Sequence, residues 1–445
     1  MRTDWIIATM IGGALLAHSP VTGQQAQVVT DPLEQLVARA LDVNPRVRAA
    51  LHAVEAAGAR LRAAGKPPDP MLGIGIMNMP VARPGYADFM TMNVLSVGQR
   101  VPFPGKLRLE RRAAEYELAA AEAHAEAVGR DVERDVRVAW YELALLDRSL
   151  DILTLNQAIL TDLIAATQSR LALGSGGQED VLKARVEAVQ LADEASALTE
   201  RRRAALARVN ATLDRASNTP IDTPVLPDRI TRLATGPAPD RIRFVSAALG
   251  ARADDSPIRS VAALQDEAIR TNPQLRAHEA TIRAQASRVA LLRKDHLPDV
   301  DLSLQFAQRP DRTDMLSFMV SIPVPVRRKQ RQDARLAEAT AELAAMQAVH
   351  HAMVNELRAD VARLHAELER SRTQLALYVR AILPQASGAL HSSTSAFLVS
   401  RVDLLSVLEN QATLYRLETG YHDALTAFAR TLAELERVTG KKVLQ

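Results

Sequence analysis

The sequence predicts a mainly α-helical fold in which a unit of two β-strands and one very long helical hairpin occurs twice. Three observations lead to this expectation: two long stretches with almost no proline, short segments of alternating apolar and polar residues, and motifs that recur at a nearly constant offset. Proline disrupts a helix interior at a cost of about 3 kcal/mol or more. The stretches without proline can therefore form long uninterrupted helices.

The composition excludes several classes of protein. The 445 residues are 47% hydrophobic but only 3% aromatic, which argues against several large globular cores. The chain contains no cysteine, which excludes disulfides, thiolate metal sites and cysteine nucleophiles. An acylated N-terminal cysteine is excluded as well, so we expect the protein not to be lipidated. The net charge is +3 and basic residues alternate with acidic ones, so we expect no nucleic-acid partner.

Residues 1–23 are predicted to be a secretory signal peptide. Arg2 precedes an apolar run from Trp5 to Ala17 that is too short to span a bilayer, and small residues up to Gly23 suit cleavage. No later stretch of 18 apolar residues is evident, so no helix is expected to cross a membrane. The mature protein is expected to be exported and to be either soluble or a barrel.

Residues 24–214 are predicted to form the first structural repeat. Strands are expected at about 71–80 and 89–101, followed by a long helical hairpin over 106–214. No proline interrupts this hairpin, and Gly174 to Gly177 form its turn. The outgoing helix carries apolar residues at every third or fourth position, the seam of a helical bundle: Val128, Val132, Val136, Trp140, Leu143, Leu146, Leu150 and Leu153.

Residues 259–440 are predicted to form the second structural repeat, after a Pro-rich linker at 215–258 and before a tail at 441–445. Strands are expected at about 299–307 and 315–324. The helical hairpin is expected over 327–439, with a kink at Pro384.

Matching motifs in the two halves indicate a duplication. Asn44-Pro45 aligns with Asn272-Pro273, Val101 to Pro104 with Ile322 to Pro325, and Asp180 to Leu182 with Ser406 to Leu408. The offsets stay between 221 and 228 residues, and the motifs keep the same order. Chance similarity would not preserve that order.

The strands of the second half alternate cleanly. Val300, Leu302, Leu304 and Phe306 are separated by Asp301, Ser303 and Gln305. Such alternation is typical of a transmembrane β-strand, although a soluble sheet with one solvent-exposed face shows the same alternation. Four strands cannot enclose a lumen, and open edges are not tolerated in lipid, so insertion into a membrane would require an oligomer.

Six motifs follow one another along the chain: Ala40 to Pro45, Ala64 to Pro70, Val101 to Lys106, Ile382 to Gln385, Arg401 to Leu408 and Leu435 to Gly440. Together they resemble the TolC-like outer-membrane efflux protein family over essentially the whole mature chain. The methionines near residues 69–80 look like the heavy-metal subgroup of that family.

This resemblance implies a homotrimer that combines a membrane β-barrel of twelve strands with a periplasmic α-helical cylinder. The protein would lie in the outer membrane of a Gram-negative bacterium, contact outer-membrane lipid and extend into the periplasm. It would be a passive exit duct for metal ions or small toxic compounds, docked through a periplasmic adaptor protein to an inner-membrane pump. Two alternatives remain at this point: a type I secretion exit channel, or an exported structural or adhesive coiled-coil protein.

The resemblance also points to the two hairpin tips as the periplasmic gate and the adaptor docking site. Asp403 could instead simply cap its helix, and Arg170 and Arg401 could be ordinary surface charges. Ser400 and Asp214 stand where the family usually has glycine. The candidate gate and docking residues are Arg170, Gly174, Ser400, Arg401 and Asp403.

No metal site, cofactor or catalytic residue is expected, and the chain is not expected to be an enzyme. Five methionines lie near the first strand pair: Met71, Met77, Met79, Met90 and Met92. Methionine thioethers are soft ligands that suit Cu(I), but methionine is more often an adaptable apolar filler. His350, His351 and His365 are expected to be solvated. Basic residues that start the long helices are candidates for contact with lipid headgroups: Lys106, Arg108, Arg327, Arg328 and Lys329.

Overall fold

The computed structural model describes residues 32–174, 176–222, 224–227, 230–231, 258–310, 312–324, 326–399 and 401–441. The predicted signal peptide, a large part of the predicted Pro-rich linker and residues 442–445 lie outside these ranges. The described chain is mainly helical. Its elements, in order, are α1 (Pro32–Val43), α2 (Pro45–Ala63), β1 (Met71–Met77), β2 (Met92–Val101), α3 (Lys106–Ala172), α4 (Gln178–Thr212), α5 (Val261–Thr271), α6 (Pro273–Lys294), β3 (Val300–Gln308), β4 (Met315–Ser321), α7 (Arg328–Leu377), a π-helix (Tyr378–Ile382), α8 (Leu383–Leu398) and α9 (Leu404–Thr439).

Helix α3 is the longest element, with 67 residues, or about 100 Å at 1.5 Å per residue. It packs against α2, α4, α6 and α9. Val132, Val136, Leu143 and Leu146 on its predicted seam are buried. Such burial, rather than helix propensity alone, keeps a helix of this length ordered.

Among the described residues, α3 is also the one helix long and apolar enough to cross a membrane, with a mean hydropathy of 1.2 over an 18-residue window. The expectation that no helix crosses a membrane stays a prediction, because this measure rests on length and composition alone. The apolar seam of α3 is covered by neighbouring helices. This window is weak evidence for a membrane span, because a packed core helix has the same composition.

The second long helix is interrupted near Pro384, as the sequence predicts, but the deformation precedes the proline. α7 ends at Leu377, and a five-residue π-helix leads into α8, in whose first turn Pro384 lies. Proline has no backbone N–H, and its ring crowds the carbonyl four residues earlier, here that of Arg380. The wider π-turn accommodates that crowding.

The four strands form one antiparallel sheet in the order β1-β2-β3-β4. The register aligns apolar residues in rows across one face. One row contains Leu72, Val97, Leu304 and Phe318; the next contains Ile74, Leu95, Phe306 and Leu316. These eight side chains are exposed, so the sheet presents a continuous apolar face that the chain itself does not cover.

The opposite face of the sheet carries mostly small, polar and methionine side chains. Its residues are Met71, Gly73, Gly75, Met77, Met92, Val94, Ser96, Gly98, Arg100, Asp301, Ser303, Gln305, Ala307, Met315, Ser317, Met319 and Ser321. Strand β1 ends at Met77, three residues before the predicted end, because Asn78 adopts a left-handed backbone conformation with φ of 58°.

The two Asn-Pro motifs make the same pair of interactions in both halves. The side chain of Asn44 caps α2 by accepting from Arg46 N, and it donates to the carbonyl of Thr212 at 2.9 Å. Asn272 caps α6 and donates to the carbonyl of Val438 at 3.0 Å. Each asparagine therefore joins the start of a short helix to the last turn of the return helix of its own half.

The residues that follow α4 and α9, the return helices of the two hairpins, also correspond. Asp214 and Gly440 both have left-handed backbone conformations, with φ of 51° and 69°. Aspartate tolerates this region better than most side chains, because its carboxylate can bond locally. At Gly440 a Cβ would lie 3.0 Å from the carbonyl oxygen of Thr271. The glycine is therefore needed for space as well as for conformation.

Candidate functional site at the hairpin tips

The first hairpin tip begins where α3 stops. Leu173 N donates to Ser169 O at 3.1 Å, and Gly174 N donates to Leu171 O at 3.0 Å. Gly174 is exposed and has φ of 70°, a left-handed conformation that glycine adopts without strain. The chain turns there and enters α4 after Gly177. The predicted glycine turn is therefore the C-terminal cap of α3.

The second tip is closed by side-chain capping. Asp403 is the N-cap of α9: its Oδ1 accepts from Ser406 N at 3.1 Å and from the Ser406 hydroxyl at 2.5 Å. Arg401 N donates to Ala396 O at 2.9 Å, which folds the turn back on the end of α8, and the Arg401 side chain is exposed. Ser400 lies outside the described residues.

Arg170 connects the two tips. Its Nη1 donates to the carbonyl oxygen of Phe397 on α8 at 3.0 Å, and its guanidinium carbon lies 4.5 Å from the centre of the Phe397 ring. Phe397 itself is only 2% exposed. Arg170 thus combines a charge-assisted hydrogen bond with a cation–π contact on one residue of the other hairpin.

A small apolar cluster lies behind this contact. Phe397 packs with residues of both hairpins, so the cluster joins α3, α4, α8 and α9 near the tips. It is separate from the larger core of the helical body. Its buried members are Leu160, Leu163, Ala184, Leu191, Phe397, Leu404, Val407 and Leu408.

Charged groups at the two tips influence each other. The Ser406 hydroxyl and backbone N–H donate to the Asp403 carboxylate, and the Lys183 ammonium lies nearby. These groups hold the pKa of Asp403 below its ordinary value. Lys183 bonds Glu179 at 2.7 Å, and this partner raises the pKa of the ammonium group. Asp403 is therefore a capping residue that also lies in the field of a cation on the first hairpin.

The structure brings some of the predicted tip residues into contact and leaves others apart. Arg170 meets the second hairpin, whereas Gly174 and Arg401 are exposed in their own turns. Phe397, Lys183 and Ser406 were not singled out by sequence reasoning. A capping role for Asp403 points to the backbone N–H of Ser406, because an N-cap side chain bonds the second or third helical N–H. Nothing local marks Phe397 as the partner of a residue 227 positions away.

The junction between sheet and helices differs from the expectation that its basic residues face lipid headgroups. Lys106 is only 11% exposed and bonds Asp295 at 3.1 Å and Asp299 at 2.9 Å. Burial alone would lower the pKa of Lys106, but the two carboxylates outweigh it and raise the pKa. Asp299 also accepts from Phe103 N at 2.9 Å. Lys106 therefore binds the start of α3 to the segment before β3.

The histidines differ in their surroundings. His351 is exposed as expected, and His365 is half-buried. His350 is also half-buried, and its ring stacks on His278 of α6 with centroids 5.8 Å apart, so it is a packing residue rather than a solvated one. Among the described residues, no three His, Cys, Asp or Glu side chains are grouped so that they could hold a metal ion.

The chain is similar to known proteins over most of its length. It is 23% identical over 337 residues to the cobalt-zinc-cadmium resistance protein CzcC of Cupriavidus metallidurans, covering 76% of this chain and 74% of that protein. Its structure is similar to that of CusC, with a TM-score of 0.75, 17% identity and 93% of both chains covered. It is also similar to the outer membrane protein VceC of Vibrio cholerae, with a TM-score of 0.72, 20% identity and 92% and 96% of the two chains covered.

These structural similarities lie below 25% identity and show the fold. A family profile goes further, because it matches both halves of the chain, at residues 36–215 and 264–441, and is described as outer membrane efflux protein. The matched segments contain the four strands, both hairpins and both tips. The chain belongs to the outer membrane efflux protein family.

Proposed function

We propose that this protein is a passive exit duct that closes as a homotrimer, with twelve strands in an outer-membrane barrel and the helical hairpins forming a periplasmic cylinder. The sheet is the observation that carries the proposal. It has an uncovered apolar face, a small polar face, and two edges, β1 and β4, that lack a partner within the described residues. In lipid such edges must be paired, and two more copies of the chain can pair them.

The hairpin tips are the proposed periplasmic gate and docking site for an adaptor protein, itself joined to an inner-membrane pump. The contact of Arg170 with Phe397 supports this role, because it holds the ends of the two hairpins together. Arg170, Gly174, Ser400, Arg401 and Asp403 are the proposed residues.

Metal ions are the proposed cargo. The support is the similarity to CzcC, which is named as a cobalt-zinc-cadmium resistance protein. A deletion strain tests this assignment. We expect it to become sensitive to cobalt, zinc or cadmium and to be rescued by the wild-type gene. Unchanged metal resistance with loss of a secreted protein would instead support the type I secretion alternative.

A matched pair of substitutions on β3 tests the barrel. Leu304→Asp places a charge on the apolar face, whereas Ser303→Asp places it on the opposite face one residue away. A charge facing lipid costs up to a few kcal/mol, depending on depth. We expect the Leu304 variant to lose heat-modifiable, detergent-extracted trimer and the Ser303 variant to keep it. Equal trimer yields, or a wild-type protein that purifies as a soluble elongated monomer, would contradict the proposal.

A further inference from the structure

Four methionines lie at or next to the last paired position of the β1–β2 hairpin, at the end away from the helices. We call them the methionine cluster: Met77, Met79, Met90 and Met92. Met77 and Met92 form the last paired position of the two strands. Met79 follows one residue beyond Asn78, and Met90 precedes Thr91 on the other side. The chain thus presents the sequence Met-x-Met twice, on two segments that are directly opposed.

The two segments are fixed relative to each other. Thr91 Oγ1 donates to the carbonyl of Asn78 at 3.1 Å, which continues the pairing one position past Met77 and Met92. Met90 N donates to Asp88 Oδ1 at 2.8 Å. Directly paired residues in antiparallel strands have Cβ atoms about 4.5–5.5 Å apart. Flexible methionine side chains can therefore bring two or more sulfur atoms together across this pair.

The environment of the cluster does not fit a filler role. Met77, Met79 and Met90 are 42%, 36% and 44% exposed, so most of the cluster fills no core. Met77 and Met92 also lie on the small polar face, opposite the rows of apolar side chains. Met92 is the exception, since it is 9% exposed. The cluster therefore combines one sheltered thioether with three accessible ones.

We propose that the methionine cluster binds one Cu(I) ion per chain. Thioethers are soft, uncharged ligands that favour Cu(I), whereas Zn(II) prefers nitrogen, thiolate or carboxylate ligands. The described residues offer no alternative group of three His, Cys, Asp or Glu side chains. The site does not depend on the proposed duct function, because every ligand comes from one hairpin of one chain.

The test uses the full-length protein in detergent, titrated without oxygen with Cu(I) kept reduced by ascorbate, in competition with a chromophoric Cu(I) chelator. We expect one Cu(I) ion per chain and a copper X-ray absorption spectrum in which sulfur is the nearest ligand atom. Changing all four cluster residues to leucine should weaken binding at least 100-fold. Met315→Leu with Met319→Leu is the matched control, on the same face but in the other hairpin, and should bind as the wild type does.

A double variant, Met79→Leu with Met90→Leu, replaces the fourfold variant if that protein fails to form a heat-modifiable oligomer. This variant leaves the buried Met92 in place, and we expect it to lose at least 10-fold in affinity. Wild-type Cu(I) affinity in the folded fourfold or double variant would overturn the proposal. So would a first shell of nitrogen or oxygen, or Zn(II) competing with Cu(I) at equal concentration.

Discussion

Arg170→Met removes the guanidinium that bonds Phe397 across the two hairpin tips. A hydrogen bond to a charged group contributes about 1.5–3 kcal/mol, and the cation–π contact with Phe397 adds about 0.5–1 kcal/mol. Together these amount to about 2–4 kcal/mol, or roughly 30- to 1,000-fold in the equilibrium between joined and separated tips. Methionine retains much of the side-chain volume, so packing around α3 changes little. We therefore expect the variant protein to form trimers with tips that separate more readily.

Conductance of the purified protein in planar bilayers measures this effect, because a narrow periplasmic end limits the current. We expect a higher mean conductance and longer open times for Arg170→Met. Arg185→Met is the control, since it removes the same charge from an exposed position on α4 near the tip; it should leave conductance near the wild-type value. If both variants conduct alike while remaining trimeric, Arg170 does not hold the tips together.

Three further changes test the helical body. Arg137→Met should lower the free energy of unfolding by about 3–5 kcal/mol, since it removes the cation beside the buried Glu436 and half-buried Glu133 carboxylates. Helical circular dichroism on heating measures this change, and Glu34→Gln should cost less, because Glu34 is partly exposed. Asn272→Ala removes a cap and the bond to Val438 O, and should cost about 2–4 kcal/mol in the same assay. Burial and nearby Arg148 lower the pKa of His422 to about 4. As the pH falls, the unfolded chain therefore binds a proton at His422 before the folded chain does. The free energy of unfolding should decrease as the pH falls from about 6.5 to 4, and His422→Gln should remove that part of the decrease.

The order and approximate positions of the elements follow from local sequence signals. Absence of proline and a regular apolar seam suffice to predict α3, and strict alternation predicts β3. Ends are harder to predict: β1 stops at Met77 because Asn78 turns the backbone left-handed, and the π-helix precedes Pro384 because the strain falls on the preceding turn. Both effects depend on backbone geometry that residue types alone do not specify.

Contacts between distant segments could not be predicted. The proline after Asn44 and Asn272 indicates a helix start, but nothing identifies Thr212 and Val438 as the acceptors of their amides. Arg170 was named as a tip residue, whereas its contact with Phe397 depends on how two hairpins pack. Lys106 was a candidate for contact with lipid headgroups because it starts a long helix next to the strands, whereas its carboxylate partners, Asp295 and Asp299, come from the other half of the chain.

The paired asparagine bonds also bear on the order in which the chain can acquire its structure. Each bond joins positions 168 or 166 residues apart, so each half is closed only when its own last helical turn is present. In a chain that emerges from its N-terminus, the first half can close once Thr212 is available, while the second half waits for Val438. A premature stop before Val438 would therefore leave one completed half beside another that cannot close.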